Sequence, residues 1–132
     1  MIFVDSDAYL AVYLEKDAHH KKAVKILKYL QDVREEVITS WDVIDEVTTK
    51  LSYYFTKSLA LKFLNTIITS RTHIEYVSQE KTSAIQRLFT QQKSKRISLS
   101  DCTNMVIARS LGISTFLSFD RHYLKNGFKL LE

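Results

Sequence analysis

The sequence predicts an α/β fold, a three-layer α/β/α sandwich with a mostly parallel sheet of four to five strands. Short apolar runs alternate along the chain with longer segments of helical periodicity. The 132 residues are 45% hydrophobic and 26% charged, which is typical of a globular domain. Strands that alternate with helices are joined by right-handed crossovers, and these build parallel sheets with helices on both faces. Because the chain has no proline, only two glycines and no linker-like segment, we expect one domain over residues 1–132.

The first half of the chain contains two predicted strands and four predicted helices. Residues 2–4 and 37–39 are the apolar runs that predict strands. Apolar residues three and four apart predict helices over 8–14, from near Asp17, from Ser40 and over 58–68. Asp17 and Ser40 are favourable N-caps, and the pattern after Ser40 places Trp41 on the apolar side of its helix.

The second half continues the same alternation. Strands are predicted at 74–77 and 115–119, with a short fifth strand at the sheet edge over 128–131. Helices are predicted over 82–92 and 98–111, and the second of these ends at Gly112.

Charge and cysteine content restrict the class of protein. The formal net charge of +4 favours anionic partners without identifying one. The single cysteine, Cys102, excludes an internal disulfide and suits a reducing compartment. The first apolar run is too short for a signal peptide, and no other run approaches membrane-spanning length. We expect a cytoplasmic protein with no membrane association.

Four acidic residues occupy positions where a parallel sheet places its ligands. Asp5 and Asp120 end predicted strands, Glu46 lies in the helix after the second strand, and Asp101 lies in the first turn of the helix before the fourth. Ligands of such sheets bind beyond the carboxyl ends of the strands. Carboxylates held close together repel unless a cation lies between them, and Mg²⁺ and Mn²⁺ prefer oxygen ligands. The pattern therefore predicts a Mg²⁺ or Mn²⁺ site.

Each acid also has a local explanation. Asp5 could cap the first helix, and Asp120 could begin a turn. Asp101 follows Ser98 at the spacing of a capping box, a role that could coexist with metal binding. Glu46 could belong to a solvated helix face. The joint placement of all four is what favours a site.

Four segments, in this order, resemble the successive motifs of PIN domains (PilT N-terminal domains) over nearly the whole chain. They are Ile2-Phe3-Val4-Asp5-Ser6, Thr39-Ser40-x5-Glu46-Val47, Leu99-Ser100-Asp101-Cys102 and Thr115-Phe116-Leu117-Ser118-Phe119-Asp120-Arg121-His122-Tyr123, followed by Gly127-Phe128. The resemblance implies a metal-dependent endoribonuclease, commonly the toxin of a type II toxin–antitoxin pair of the VapC-like kind. It also implies an RNA substrate, a cognate antitoxin protein and a homodimer.

The resemblance also implies roles for individual residues. Asp5, Glu46 and Asp101 match the three acids that usually define the site, and Asp120 matches a more variable fourth. Ser6 and Asn104 match polar positions that usually support it. Trp41 departs from the small residue or proline often found after the Thr-Ser pair.

Hydrolysis of RNA at neutral pH would require one or two divalent ions, which lower the pKa of bound water and polarise the phosphoryl group. We expect Asp5 and Asp101 to be direct ligands, Glu46 to bind directly or through water, and Asp120 to support a second ion or a water. Contacts with RNA phosphate require cations near the site, although the run from Lys93 to Arg96 could instead be a solvated loop. The candidate cations are Lys93, Lys95, Arg96, Arg121 and His122.

Three consecutive aromatic residues, Tyr53, Tyr54 and Phe55, could stack bases, pack in the core or form an interface. Their place at the end of an amphipathic helix favours a core role combined with a dimer or antitoxin surface.

Two other functional classes remain open. Asp5 and Asp7 form the Asp-x-Asp pattern of haloacid-dehalogenase-type phosphatases, although Ala8 and Tyr9 differ from the residues that this family has just after the second Asp. A non-catalytic RNA-binding or protein-binding module could keep the fold without turnover.

Overall fold

The computed structural model describes residues 1–131, and its five strands form one parallel sheet. The strands are β1 (Ile2–Val4), β2 (Val37–Ser40), β3 (His73–Glu75), β4 (Thr115–Leu117) and β5 (Lys129–Leu130). Their order is β3-β2-β1-β4-β5, so β1 is central and β5 lies at one edge. The predicted α/β class, parallel sheet and edge position of the fifth strand are confirmed.

Seven α-helices connect the strands in the described part of the chain. They are α1 (Ser6–Tyr13), α2 (His20–Asp32), α3 (Trp41–Tyr54), α4 (Lys57–Thr69), α5 (Thr82–Gln91), α6 (Leu99–Ser110) and α7 (His122–Lys125). The prediction that the second helix begins near Asp17 was wrong. Asp17 instead closes the preceding turn, because its side chain accepts a hydrogen bond from the His19 backbone and its carbonyl accepts one from His20. No helix within residues 1–131 has the length and apolar character needed to cross a membrane.

The central strands supply the middle of the core. Phe3 and Val4 of β1 and Phe116 and Leu117 of β4 are fully buried, as expected where helices cover both faces of a parallel sheet. The rings of Phe3 and Phe116 stack at 4.7 Å between centroids. This packing fixes β1 against β4 and so fixes the residues that follow each strand.

Because all five strands are parallel, they end at the same edge of the sheet, which we call the carboxyl edge. Val4 pairs with Leu117 at the ends of β1 and β4, and Ser40 pairs with Glu75 at the ends of β2 and β3. Side chains immediately beyond these residues are therefore neighbours in space, although the chain separates them widely.

Candidate active site

Asp5 follows β1 at the carboxyl edge and is 4% exposed. Its Oδ2 accepts hydrogen bonds from the Tyr123 hydroxyl at 2.8 Å and from Ser118 Oγ at 3.4 Å. Its Oδ1 accepts one from Asn104 Nδ2 at 3.3 Å. Asp5 occupies the N-cap position of α1, but its side chain makes no capping hydrogen bond. The carboxylate therefore faces the interior of the site, which argues against a purely local capping role.

Asn104 connects Asp5 to the next strand. Its Oδ1 accepts a hydrogen bond of 2.6 Å from Ser40 Oγ at the end of β2, while its Nδ2 donates to Asp5. Ser40 also accepts from the Val43 backbone and so caps α3, as its sequence position predicted. All three side chains are buried. The predicted supporting position of Asn104 thus corresponds to a direct contact with Asp5, and Ser6 is buried directly after Asp5.

Asp7 is an acidic neighbour of Asp5 that sequence reasoning considered only within the phosphatase pattern. Its Oδ2 accepts hydrogen bonds from Ser118 Oγ at 3.0 Å and from the Phe119 backbone at 2.7 Å. Among the described residues, its buried Oδ1 has no hydrogen-bond partner. Burial raises the pKa of the Asp7 carboxyl. The signal available in the sequence was its position two residues after Asp5 in the first turn of α1.

The electrostatics of the site centre on Asp5. Its burial, and then the negative charge of Asp7, raise the pKa of its carboxyl from 3.8 to about 8, with a smaller contribution in the same direction from Asp101. The hydrogen bond from Tyr123 opposes this rise. Asp5 is thus a carboxyl group whose charged form needs a nearby cation at neutral pH.

Asp101 has the capping role that its sequence position suggested, and its role as a metal ligand stays a prediction. Its Oδ2 accepts a hydrogen bond of 2.7 Å from the Ser98 backbone, and Ser98 Oγ accepts one of 3.0 Å from the Asp101 backbone. This reciprocal pair is a complete capping box at the start of α6. Among the described residues no hydrogen bond reaches Oδ1 of Asp101, so one carboxylate oxygen is available to a ligand.

The side chain of His122 lies between the carboxylates of Asp120 and Asp101. His122 Nδ1 lies 2.8 Å from Asp120 Oδ1, and its Nε2 lies 3.9 Å from Asp101 Oδ2. The residue is only 8% exposed. Because α7 turns the ring inward between two carboxylates, the burial of His122 counts against its predicted contact with RNA phosphate, which stays a prediction. Sequence spacing alone did not show this bridge.

Glu46 makes its polar contact with a lysine of its own helix. Its Oε1 is 2.6 Å from Lys50 Nζ, one helical turn later on α3. Such exposed pairs contribute only about 0.3–0.5 kcal/mol to stability, so this pairing would not prevent Glu46 from binding elsewhere. Among the described residues, Lys50 is the hydrogen-bond and ion-pair partner given to Glu46. The place of Glu46 in a shared metal site stays a prediction.

The donor chemistry fits a divalent cation at Asp5 and Asp101. Within residues 1–131, no three Asp, Glu, His or Cys side chains are grouped closely enough to hold an ion by themselves. Mg²⁺ commonly binds through one or two carboxylates and keeps several of its waters. A cation at this pair would stabilise the charged form of Asp5 against its burial. A site shared by all four acids stays a prediction.

The predicted basic segment precedes the helix that carries Asp101. Lys93, Lys95 and Arg96 are exposed in the connection between α5 and α6, and buried Ile97 anchors its end. The segment leads directly to the cap of α6. Arg121, which follows Asp120, is also exposed.

The aromatic run at the end of α3 is exposed, so the prediction that it contributes to the core was wrong. Tyr53, Tyr54 and Phe55 are 79%, 75% and 53% exposed. The buried side of α3 is formed instead by residues one and two turns earlier, such as Val47 and Leu51. The interface part of the prediction stays a prediction.

The chain matches no family model and no curated protein. Among solved structures it is similar to Mycobacterium tuberculosis VapC20, which is described as a sarcin-ricin loop cleaving toxin. The two are 23% identical, the TM-score is 0.85, and the match covers 97% of this chain and 96% of that one. The chain therefore has the PIN-like α/β/α fold of a VapC toxin, which is the fold that its sequence motifs imply.

Proposed function

We propose that this chain is a divalent-metal-dependent endoribonuclease formed by one domain over residues 1–132. The observation that carries the proposal is the buried carboxyl of Asp5 at the end of the central strand. The negative charge of Asp101 contributes to the raised pKa of this carboxyl. The sequence motifs support the same reaction class, and so does the activity of the fold neighbour, a sarcin-ricin loop cleaving toxin.

Asp5 and Asp101 would hold Mg²⁺ or Mn²⁺, as one or two ions, with Glu46 and Asp120 as the further predicted ligands. Such an ion supplies a nucleophilic water at neutral pH and polarises the phosphoryl group. Tyr123, Ser118 and Asn104 fix the orientation of the Asp5 carboxylate through their hydrogen bonds.

The buried His122 ring contacts Asp120 through Nδ1, at 2.8 Å from Asp120 Oδ1. Its Nε2 lies 3.9 Å from Asp101 Oδ2 and has no hydrogen-bond partner among the described residues. Asp120 itself is 56% exposed in its side chain and so lies at the opening of the site. The backbone hydrogen bond from His122 to Asp120 Oδ1, at 3.1 Å, fixes the same carboxylate from a second direction.

Substrate binding would rely on exposed cations beside the acids. Phosphate contacts contribute most of the sequence-independent affinity for nucleic acid. We assign this role to Lys93, Lys95 and Arg96 before α6 and to Arg121 after Asp120, because these side chains are exposed whereas His122 is buried.

We further propose that the protein is the toxin of a type II toxin–antitoxin pair and that it acts in the cytoplasm as a homodimer. The aromatic residues Tyr53, Tyr54 and Phe55 support a partner surface, because exposed aromatic clusters are enriched at protein interfaces. Either a second copy or an antitoxin could contact this surface.

The decisive experiment is cleavage of total RNA and of single-stranded oligonucleotides by purified protein in Mg²⁺, Mn²⁺ or EDTA. We expect cleavage that EDTA abolishes and that Asp101→Asn reduces by at least a hundredfold. Asp32→Asn is the matched control, because Asp32 is exposed on α2 and pairs with Lys28 one turn earlier.

Folded protein that cuts no RNA in any metal would instead favour the non-catalytic binding module. Formation of an acyl-phosphate on Asp5 would favour the phosphatase. Cleavage that persists equally in Asp101→Asn would contradict the assigned site.

A further inference from the structure

Two exposed aromatic side chains, Trp41 and Tyr76, stack on each other at the carboxyl edge. Their ring centroids are 5.8 Å apart and their planes differ by 19°. Trp41 is 41% exposed and Tyr76 is 63% exposed. The prediction that Trp41 lies on the apolar side of its helix was therefore wrong, because the first residue of α3 projects from the sheet edge instead of packing below it.

Strand register explains why these two residues meet. Trp41 directly follows Ser40, the last residue of β2, and Tyr76 directly follows Glu75, the last residue of β3. Ser40 and Glu75 are partners in the parallel ladder. The stacked pair therefore continues the sheet by one residue on each of two neighbouring strands.

The pair lies beside the proposed catalytic site. Ser40 donates a hydrogen bond of 2.6 Å to Asn104, and Asn104 donates one of 3.3 Å to Asp5. Trp41 directly follows Ser40, and two hydrogen bonds thus connect Ser40 through Asn104 to Asp5. Neighbouring strands of a sheet are about 4.8 Å apart, so β2 brings Trp41 within one nucleotide's reach of the strand that carries Asp5.

The pair contributes little to the core for its size. Neither residue is among the large buried side chains of the core, and both rings keep much of their surface in contact with solvent. An exposed aromatic face is what proteins use to stack unpaired bases, since every base has a π-face. Tyr76, the more exposed of the two, presents the larger free surface.

We propose that Trp41 and Tyr76 form a stacking subsite for an unpaired base of single-stranded RNA, next to the scissile phosphate. The relation to cleavage rests on the proposed function, whereas base binding by itself does not. The favoured occupant is RNA rather than a protein partner for two reasons. The pair is continuous with the carboxyl edge at which Asp5 lies, and the exposed basic residues proposed to hold phosphate lie beside the helix that carries Asp101.

Trp41 is the only tryptophan in the chain, so its fluorescence reports on this subsite directly. We would titrate the cleavage-deficient Asp101→Asn protein in Mg²⁺ with a single-stranded RNA oligonucleotide. A matched oligomer of equal length and charge, in which hydrogen replaces every base, controls for phosphate binding. We expect quenching and tight binding with the RNA, and at least fivefold weaker binding without quenching for the base-free oligomer.

Substitutions of Tyr76 test the ring itself. Tyr76→Leu should weaken binding of the RNA roughly tenfold and leave binding of the base-free oligomer unchanged, whereas Tyr76→Phe should retain affinity. Tyr29→Leu is the matched control, because Tyr29 is 60% exposed near the end of α2 that leads to the opposite edge of the sheet. In protein that keeps Asp101, Tyr76→Leu should raise KM for RNA more than it lowers kcat.

The outcomes separate the two proposals. Equal affinity for both oligomers, or unchanged RNA affinity in Tyr76→Leu, would overturn the stacking subsite even if the enzyme cleaves RNA. Base-dependent quenching by a protein that never cleaves RNA would support the subsite and overturn the nuclease. A change in oligomeric state with unchanged RNA affinity in Tyr76→Leu would show that the pair is a protein interface and would also overturn the subsite.

Discussion

The Tyr123 hydroxyl donates a hydrogen bond of 2.8 Å to Asp5 Oδ2, although the two residues are 118 positions apart in the chain. Tyr123 is fully buried and stacks on Phe116 of β4 at 4.1 Å between ring centroids. The hydrophobic core therefore sets the position of a donor that contacts the central acid. Packing in the core and chemistry at the carboxyl edge are linked through this one side chain.

Replacing Tyr123 by phenylalanine tests this link, because it removes the hydroxyl and keeps the stacked ring. We expect a loss of about 1 kcal/mol in the free energy of unfolding, measured by urea denaturation. The pKa of Asp5 should rise further, since the Tyr123 hydrogen bond lowers it. Cleavage should therefore require more Mg²⁺ for half-maximal rate. Tyr29→Phe, at an exposed position, should change neither the free energy of unfolding nor the Mg²⁺ concentration for half-maximal rate.

The pH dependence of metal-free stability tests the environment of Asp5. The pKa of Asp5 is about 8 in the folded protein and 3.8 for the ordinary group. Between these two pH values, the folded state therefore retains a proton that the unfolded state has already released. This contribution to stability is fully present below pH 3.8 and is lost as the pH rises through 8. In EDTA, Tm should fall between about pH 5 and pH 8 more steeply in wild type than in Asp5→Asn. A wild-type slope no steeper than that of the variant would contradict the raised pKa.

The capping box allows the structural and chemical roles of Asp101 to be separated. Ser98→Ala should cost about 1 kcal/mol, because the Asp101 backbone N–H loses its acceptor. It should reduce cleavage only slightly, since the Ser98 backbone still donates to the Asp101 carboxylate. Asp101→Asn should have a comparable or smaller effect on stability and should abolish cleavage. Thermal unfolding and single-turnover cleavage measured on both variants would check this pattern, and equal loss of activity in the two would refute it.

Asn104 links two buried polar groups, so its removal should be costly. In Asn104→Ala, Ser40 Oγ loses its acceptor and Asp5 Oδ1 loses its donor. We expect a loss of about 2–3 kcal/mol in the free energy of unfolding, because buried polar groups are left unsatisfied and a small cavity opens. Asn65→Ala on α4 serves as the control, since the side chain of Asn65 is exposed. A loss below that of the control would show that water replaces Asn104 freely.

The aromatic run at the end of α3 gives a prediction about assembly. The double variant Tyr53→Ser, Tyr54→Ser should shift a homodimer toward monomer in sedimentation equilibrium, because both side chains are largely exposed and would lose apolar contact area. Circular dichroism should remain unchanged. Tyr29→Ser should leave the oligomeric state as it was. A double variant that stays dimeric while still binding its antitoxin would show that the partner surface lies elsewhere.

Much of the fold could be predicted from local patterns. Ser40 and Ser98 cap their helices as predicted, and Gly112, with φ of 69°, follows the end of α6. Strand positions followed from apolar runs, and the parallel order followed from the alternation with helices. The start of α2 was wrong because Asp17 satisfies a turn with the same hydrogen-bonding capacity that would have capped a helix.

The individual surroundings of the site residues could not be predicted in this way. Asp7 and Tyr123 join Asp5, and His122 is buried between Asp120 and Asp101, because of contacts across different elements. Glu46 pairs with Lys50 in the described structure, and no sequence pattern distinguishes that pairing from a ligand role.

By itself, the sequence determined the approximate position of each strand and therefore placed Asp5 directly after a strand of a parallel sheet. In contrast, β4 ends at Leu117, three residues before Asp120 and not next to it as predicted. Only the tertiary structure decided which carboxyl groups are buried, which donors hold them and which aromatic rings stay exposed beside them. The physical reason is that strand and helix periodicity depends on neighbouring residues. Desolvation, hydrogen bonds and charge coupling depend on groups that the chain brings together from positions far apart in the sequence.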